Sequence, residues 1–245
     1  MHRFFVEESN IKENEIIIIG TDVNHIKNVL RMKAGEELVL SCGATKEYTC
    51  RIKAIADDEV ITTIEKVAEV DMELKSKIYL FQGLPKSDKM ELIIQKAVEL
   101  GVFEIIPVAM KNCVVKLDAK KAKNKVMRWQ SIATSAAKQS KRMIIPRVAK
   151  VHSFEEALII AKQLDINIMP YEKAVDMSET KAFLASIKSG QSIGVFIGPE
   201  GGFDLSEVDK AVLNQVETIT LGKRILRTET AGLTMLSILM FLMEE

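Results

Sequence analysis

The sequence has few of the residues that build disulfide frameworks and zinc sites. Of its 245 residues only three are cysteine and three are histidine. Cys42, Cys50 and Cys113 form no Cys-x-x-Cys pair and have no histidine at the spacing of zinc ligands. We therefore expect reduced structural thiols and no bound metal.

The sequence also lacks an apolar run long enough to span a bilayer. Its longest strongly apolar stretch, Ala231 to Met243, is shorter than the roughly 20 residues that a membrane-spanning helix needs. The first residues, Met1 to Phe5, carry no apolar run behind a basic start, so no secretory signal is expected. These absences predict a cytoplasmic protein with no membrane partner and a buried C-terminal helix.

Charge is distributed unevenly, although 34 basic and 34 acidic residues balance over the whole chain. Residues 1–72 carry 9 basic and 14 acidic side chains, residues 73–150 carry 17 and 6, and residues 151–245 carry 8 and 14. Between Lys111 and Lys150 there are twelve lysines or arginines and one acid, Asp118. Such a basic band can bind RNA phosphates by counterion release. A solvated helix face is the alternative interpretation.

The hydrophobic pattern changes near residue 72, which predicts two domains. Before it, β-branched or alternating segments at 15–19, 37–41, 48–55 and 60–67 predict a small β-barrel, with one helix over 22–31. From Ser76 onward apolar strands alternate with amphipathic helices, the pattern of an α/β domain with a parallel sheet. The predicted domains are therefore 1–72 and 73–245.

The elements of the second domain follow from the same periodicity. Strands are predicted at 77–82, 103–108, 166–170, 193–197 and 218–221, and helices at 87–100, 118–140, 153–164, 178–188, 204–214 and from 228 onward. Ser87, Ser153, Ser178 and Asp204 are the predicted N-caps, since each can accept a hydrogen bond from a first-turn amide.

Two strand-to-helix corners carry candidate site residues. The turn Gly198-Pro199-Glu200-Gly201-Gly202 follows an apolar strand, where parallel sheets bind ligands. It has neither the P-loop lysine nor the GxGxxG fingerprint, which disfavours nucleoside triphosphates and NAD. The second corner, 221–231, places Arg227 and Glu229 at the start of an apolar helix. A plain structural turn and a helix-cap ion pair are the respective alternatives.

Four segments are distinctive in combination: GPEGG, LGKRILRTETAGLTML about twenty residues later, KSDKMELIIQKAVELG at 86–101 and SIATSAAKQSKRMIIP at 131–146. Together they resemble segments of the 16S rRNA uracil-N3 methyltransferase family. HRFF at 2–5 and HIKNVLRMKAG at 25–35 resemble the PUA-like RNA-binding domain of that family. The resemblance implies a PUA-like β-barrel followed by a SPOUT-type parallel sheet with a deep trefoil knot. It also implies S-adenosylmethionine-dependent methylation of uridine N3 in the decoding region of 16S rRNA.

The resemblance also carries over the cofactor contacts, which in the family come mostly from backbone groups of the knot. The positions that match are Pro170, Tyr171, Glu172, Gly198, Pro199, Glu200, Gly201, Gly202, Leu221, Gly222, Leu226, Arg227 and Thr228. Glycines rather than side-chain ligands mark such a site.

The proposed reaction must remove the proton from uracil N3 and stabilise the resulting anion. A guanidinium can stabilise that anion and a carboxylate can accept the proton, directly or through water. Arg227 and Glu229 are the candidate catalytic residues, with Arg142 supplied from the basic band.

The expected partners are 16S rRNA in the small ribosomal subunit and a second copy of the chain. Candidate phosphate contacts are Arg3, Lys27, Arg31, Lys33, Lys138, Lys141, Arg142 and Arg147. Knotted methyltransferases are typically homodimers, so the 231–243 helix and Trp129 are candidate interface elements. Trp129 fits the core of a monomer equally well.

Three other interpretations stay open. A knotted methyltransferase acting on another RNA or base is disfavoured by the full-length match. A non-catalytic RNA-binding factor in ribosome assembly is disfavoured by the intact GPEGG and RTETAG runs. An α/β enzyme for a phosphorylated metabolite leaves the barrel and the basic band unexplained.

Overall fold

The computed structural model describes residues 1–43, 45–174 and 176–244. The chain divides into two units, Met1–Glu73 with Ala137–Ile145 and Leu74–Ala136 with Pro146–Glu245. The sequence pattern assigned residues 137–145 to the second domain, whereas the structure groups them with the first unit. Contacts between segments far apart in the chain leave no mark on local hydrophobic periodicity. In the described residues no helix is long and apolar enough to cross a membrane.

The first unit is built on a five-stranded, largely antiparallel sheet. Its strands are β1 (His2–Phe5), β2 (Glu15–Ile19), β3 (Glu37–Cys42), β4 (Lys46–Ile55) and β5 (Glu59–Glu69), in the order β1-β3-β4-β5-β2. Only β1 and β3 run parallel. Side chains alternate between the two faces of a strand, so Ile16 and Ile18, like Leu38 and Leu40, share the buried face.

The helix predicted over 22–31 is present but irregular. Helix α1 (Thr21–Asn24) continues into a wider turn of π type, His25–Val29. Val23 and Ile26 fill the core beneath the sheet. The turn ends at Arg31, whose φ of 54° takes the chain out of the helical conformation.

The second unit confirms the predicted α/β fold with a parallel sheet. Its strands are β6 (Lys77–Gly83), β7 (Glu104–Ala109), β8 (Arg147–Val148), β9 (His152–Ser153), β10 (Ile166–Pro170), β11 (Ser192–Ile197) and β12 (Glu217–Ile219). Their order is β12-β10-β11-β6-β7-β8, with β9 also paired to β7, and every ladder is parallel. The chain extends the sheet from β6 toward β8, then returns to build the other half. Ligands bind beyond strand ends where such an order reverses.

In the part of the chain that the structure describes, six helices belong to the α/β pattern: α2 (Lys89–Glu99), α3 (Ala119–Gln139), α4 (Phe154–Ala161), α5 (Met177–Ser186), α6 (Leu205–Leu213) and α7 (Thr228–Met243). Helix α7 packs against α2, β6 and β11. Its buried residues Gly232, Met235, Leu236 and Leu239 recur at the spacing of one helical face. Trp129 on α3 is 4% exposed and lies in the core of the chain itself.

Two of the four predicted N-caps are confirmed. Ser153 and Asp204 each form a capping box with the glutamate three residues later. The other two predictions are wrong. The cap position of α2 is Asp88, and Ser87 before it has a φ of 55°. Asp176, two residues before Ser178, caps α5 instead. Its carboxylate accepts a hydrogen bond from the backbone amide of Ser178.

Candidate active site

A cavity of about 360 Å³ opens beyond the carboxyl ends of β10, β11 and β12. Its volume lies within the range of small-molecule sites. Its walls are residues 170–172, 197–200, 202–203 and 220–228, completed by Lys89 and Ala231. The structure thus brings together twelve of the thirteen predicted cofactor contacts: Pro170, Tyr171, Glu172, Gly198, Pro199, Glu200, Gly202, Leu221, Gly222, Leu226, Arg227 and Thr228.

The thirteenth residue, Gly201, faces away from the cavity toward Asn112. The side-chain amide of Asn112 donates to the carbonyl oxygens of Gly201 at 3.1 Å and Gly202 at 3.3 Å. A Cβ on Gly201 would lie 3.1 Å from Cβ of Asn112. Asn112 therefore braces the glycine-rich turn from outside. The sequence gives no signal for this contact, since the partners are about ninety residues apart.

Two glycines are required by the shape of this corner. Gly202 has a φ of +66°, a left-handed conformation that side chains disfavour. Gly83, at the end of β6, lies directly beneath Pro199, and a Cβ there would approach Cδ of the proline ring to 2.8 Å. The first glycine allows the turn to close, and the second allows the turn to rest on the neighbouring strand.

Thr228, the first residue of α7, joins the two main walls. Its hydroxyl donates to the carbonyl oxygen of Gly198 at 2.6 Å and accepts from Nε2 of Gln82 at 2.9 Å. Thr228 and Gln82 are both buried. The start of α7, the glycine-rich turn and the end of β6 are thereby connected through one buried hydroxyl.

A lysine that the sequence pattern did not indicate lies between two of the site segments. Nζ of Lys89 is 3.2 Å from Oε1 of Glu200 and 3.2 Å from Oε2 of Glu229. Hydrogen bonds to these two carboxylates raise the pKa of Lys89 above its ordinary value. Partial burial raises the pKa of Glu200, but its own backbone, the Lys86 amide and Lys89 outweigh burial and hold that pKa below its usual value. The site thus contains an ionised carboxylate paired with an ammonium group.

The rim of the cavity is cationic. Lys223, Arg224 and Arg227 are exposed, line the cavity and form no ion pair with any residue that the structure describes. Ile197, Leu221 and Leu226 supply apolar surface beside the backbone groups of the turn. Such a cavity can hold a flat heteroaromatic ring between apolar walls while its rim attracts an anion.

The three predicted catalytic residues occupy different places. Arg227 lines the cavity. Glu229 lies one position into α7 beyond Thr228, and its side chain is 17% exposed and paired with Lys89. Arg142 does not line the cavity: it belongs to the first unit, where its guanidinium is 2.5 Å from the Glu73 carboxylate. The structure therefore brings together Arg227 and Glu229 but not Arg142.

Seven of the eight predicted RNA contacts belong to the first unit, and several are already paired. Arg3 pairs with Glu47, Lys27 with Asp57, Lys138 with Asp22 and Arg142 with Glu73. Arg31, Lys33 and Lys141 are exposed and have no ion pair within the described part of the chain. The eighth, Arg147, lies in the second unit and pairs with Glu104 at 2.5 Å. The unpaired cations are the ones most available to phosphates.

No cluster of three or more His, Cys, Asp or Glu side chains that could hold a metal ion occurs among the described residues. The three cysteines are free thiols. Burial raises the pKa of the Cys113 thiol and also that of Cys50, which keeps both protonated at neutral pH.

Comparison with known proteins identifies two family domains in the chain. A family described as the RNA methyltransferase domain matches residues 72–240, and one described as the RNA methyltransferase PUA domain matches residues 18–65. The first covers well over half of the chain.

Relatives of known name align over nearly the full length. "Ribosomal RNA small subunit methyltransferase E" of Bacillus subtilis (strain 168) is 40% identical over 97% of this chain and 95% of the relative. The protein of the same name from Mesomycoplasma hyopneumoniae (strain 232) is 35% identical over 97% and 98%. A crystal structure of the Neisseria gonorrhoeae protein of that name, bound to S-adenosyl methionine, superposes with a TM-score of 0.83 at 31% identity, over 99% of this chain and 98% of that one.

Proposed function

The chain belongs to the family of ribosomal RNA small subunit methyltransferases E, and we propose that it methylates N3 of a uridine in the decoding region of 16S rRNA. It is an S-adenosylmethionine-dependent rRNA methyltransferase. The observation that carries the finer proposal is the position of Arg227, a cation without an ion pair among the described residues, at the rim of the cofactor cavity.

The residues around the cavity fit the cofactor. Ile197, Leu221 and Leu226 offer apolar surface for the adenine ring, and the turn at 198–202 offers backbone groups. Lys223 and Arg224 on the cationic rim can bind the carboxylate of the methionine part. When bound, the cofactor supplies an electrophilic methyl group. The protein must then hold the target base in line with that methyl and keep it in the reactive ionic form.

Arg227 and Glu229 have complementary proposed roles at N3. When the uracil proton leaves, negative charge spreads to the flanking carbonyl oxygens, and the Arg227 guanidinium stabilises it. The Glu229 carboxylate, held by Lys89, is the proposed proton acceptor through water. Glu200 is a weak base, because the hydrogen bonds from Lys86 and Lys89 help to hold its pKa below the usual value.

We propose that the first unit binds rRNA and that the enzyme acts in the cytoplasm on the small subunit. Arg31, Lys33 and Lys141 are exposed and have no ion pair in the described residues. They can therefore contact phosphates without first breaking an existing ion pair. The basic residues that already pair with acids contribute less. The affinity for RNA should accordingly fall steeply with salt.

We also propose that the segments around the cavity form a trefoil knot and that the enzyme is a homodimer. Three exposed apolar side chains support the dimer: Ile225 at the cavity rim is 86% exposed, and Phe241 and Leu242 at the end of α7 are 80% and 42% exposed. Exposed apolar patches mark interaction surfaces, and Phe241 and Leu242 are neighbours in the chain. Light scattering should give twice the monomer mass for the wild type and a monomer for Phe241→Glu.

The function is tested by incubating small ribosomal subunits that lack the modification with radiolabelled S-adenosylmethionine. Label should enter 16S rRNA with the wild type and fall by at least about a hundredfold with Arg227→Ala, the size of effect expected from losing one stabiliser of a developing charge. Label in another RNA would show that the enzyme methylates a substrate other than 16S rRNA. Cofactor binding without transfer would indicate a non-catalytic assembly factor.

A further inference from the structure

The first half of α3 and the segment before it carry an unusual group of lysines. We call Lys116, Lys120 and Lys123 the lysine surface. None of the three has an ion pair among the described residues, and all three are exposed. Their basic neighbours are different: Lys111 pairs with Asp204, Lys121 with Asp118 and Arg128 with Glu91. Within the basic band, charge is thus neutralised at some positions and left unpaired at others.

The arrangement costs the helix stability. The N-terminus of a helix carries a partial positive charge, so cations in the first turns are unfavourable. Lys120 and Lys123 are three residues apart and Lys121 and Lys125 four apart, spacings at which like charges repel. Asp118 is the one compensating acid, and its carboxylate accepts from the amide of Lys121 at 2.8 Å. No other acid among the described residues forms an ion pair with Lys120 or Lys123, so binding of an anion there would relieve the repulsion.

The lysine surface begins close to the candidate active site. Asn112 holds the glycine-rich turn through the carbonyls of Gly201 and Gly202. Lys116 follows four residues later, and four residues span at most about 14 Å. Helix α3 begins at Ala119 and rises 1.5 Å per residue, so Lys120 and Lys123 are separated by about 4.5 Å along its axis. An RNA strand that extends past the outer side of the glycine-rich turn can therefore reach Lys116.

We propose that the lysine surface binds the phosphate backbone of the rRNA segment that carries the target base. The inference rests on the proposed function, because the RNA that binds the lysine surface is the same rRNA that the active site methylates. Flexible ammonium groups suit phosphates whose positions vary, and they confer affinity without base specificity. The residues tested below lie outside the cofactor cavity, so their loss should affect RNA binding alone.

The test compares two triple variants with equal loss of charge. One is Lys116→Gln, Lys120→Gln and Lys123→Gln; the control is Lys162→Gln, Lys181→Gln and Lys188→Gln, three exposed lysines elsewhere in the second unit without ion pairs in the described residues. The first variant should raise KM for small subunits by at least about tenfold and reduce the slope of log KM against log salt by about 2. Its kcat at saturating RNA and its Kd for S-adenosylmethionine should stay at wild-type values. The control should match the wild type in all four quantities.

Three outcomes overturn the inference. An unchanged KM and salt slope in the first variant would exclude phosphate binding by the lysine surface. An equal effect in the control would show that only the net charge of the protein affects RNA binding. Weakened binding to subunits with unchanged filter binding to protein-free 16S rRNA would identify an acidic ribosomal protein as the partner. If the wild type methylates no subunits, the proposed function fails, and filter binding of both variants to 16S rRNA still decides whether the lysine surface binds RNA.

Discussion

The hydroxyl of Thr228 donates a hydrogen bond of 2.6 Å to the carbonyl oxygen of Gly198, across thirty residues of chain. The same hydroxyl accepts a hydrogen bond from Gln82, so three segments meet at one buried oxygen. Because Gly198 and Thr228 both line the cavity, this contact fixes the separation of its two principal walls. The geometry of the cavity therefore depends on this hydroxyl.

Replacing Thr228 with valine keeps the shape of the side chain and removes the hydroxyl. The Gly198 carbonyl loses its donor from Thr228, which should lower the free energy of unfolding by about 1–3 kcal/mol. We expect the cofactor affinity to fall about tenfold as the walls separate, as measured by calorimetric titration. Thr230→Val, an exposed change in the same turn of α7, is the control and should alter neither quantity. A Thr228→Val protein with wild-type affinity would show that the contact does not shape the cavity.

Gly83→Ala should disturb the site through packing. The new methyl would lie 2.8 Å from Pro199, and both contacting proline atoms belong to a ring or backbone that cannot swing away. Displacement of Pro199 should weaken cofactor binding by at least about tenfold. Overpacking should also lower the free energy of unfolding by roughly 1–3 kcal/mol. Gly190→Ala is the matched comparison, because Gly190 belongs to the same unit and does not line the cavity. No heavy atom lies within 4 Å of its Cβ, so only the positive φ opposes the change, at about 1 kcal/mol. Equal binding losses in the two variants would contradict the packing explanation.

Asp204 should make stability depend on acid. Hydrogen bonds from the Ser206 hydroxyl and from Lys111, with the Ser206 amide, lower the pKa of Asp204 to about 2. A lowered folded-state pKa contributes stability that is complete above the unfolded value near 4 and disappears as pH falls through 2. Asp204→Ala should therefore melt earlier than the wild type at pH 7, with the difference shrinking between pH 4 and pH 2. Asp209→Ala removes a carboxylate of the same helix that caps nothing and is the control. If the difference in melting temperature between the two proteins does not depend on pH, the charge of Asp204 does not contribute to its stabilising effect.

Arg227→Ala should reduce turnover far more than cofactor affinity. The guanidinium stabilises a charge that develops only during reaction, and such groups are worth about 10²–10³ in kcat. Single-turnover methyl transfer and calorimetric titration separate the two effects. Lys181→Ala, a distant exposed cation, controls for loss of charge. If affinity and turnover fall together, Arg227 has a binding role instead.

Much of the α/β unit was predictable because its strands and helices have strong local periodicity. The strands β6, β7, β10, β11 and β12 and the glycine-rich turn lie where the sequence places them. The two-residue strands β8 and β9 are too short to show a pattern. The caps at Ser87 and Ser178 were mispredicted because an aspartate lies close to each helix start and occupies the cap position.

The interior of the site was less predictable than its outline. Glycine-rich turns and clustered cations mark strand ends, so most lining residues could be named from the sequence. Lys89 could not, because nothing in its own helix shows that Glu200 and Glu229 lie 3.2 Å away. Asn112 and Gly83 are similar cases, since each acts through a packing contact with a segment about ninety or more residues distant. Long-range contacts of this kind require the folded structure.

The central claim is that the enzyme methylates uridine at N3, and the most direct measurement is mass analysis of nucleosides. Small subunits lacking the modification are incubated with the protein and isotopically labelled S-adenosylmethionine, and the 16S rRNA is digested. Labelled 3-methyluridine, absent when Arg227→Ala replaces the wild type, is the predicted result. Label on another base or on the ribose, with no 3-methyluridine, would contradict the claim.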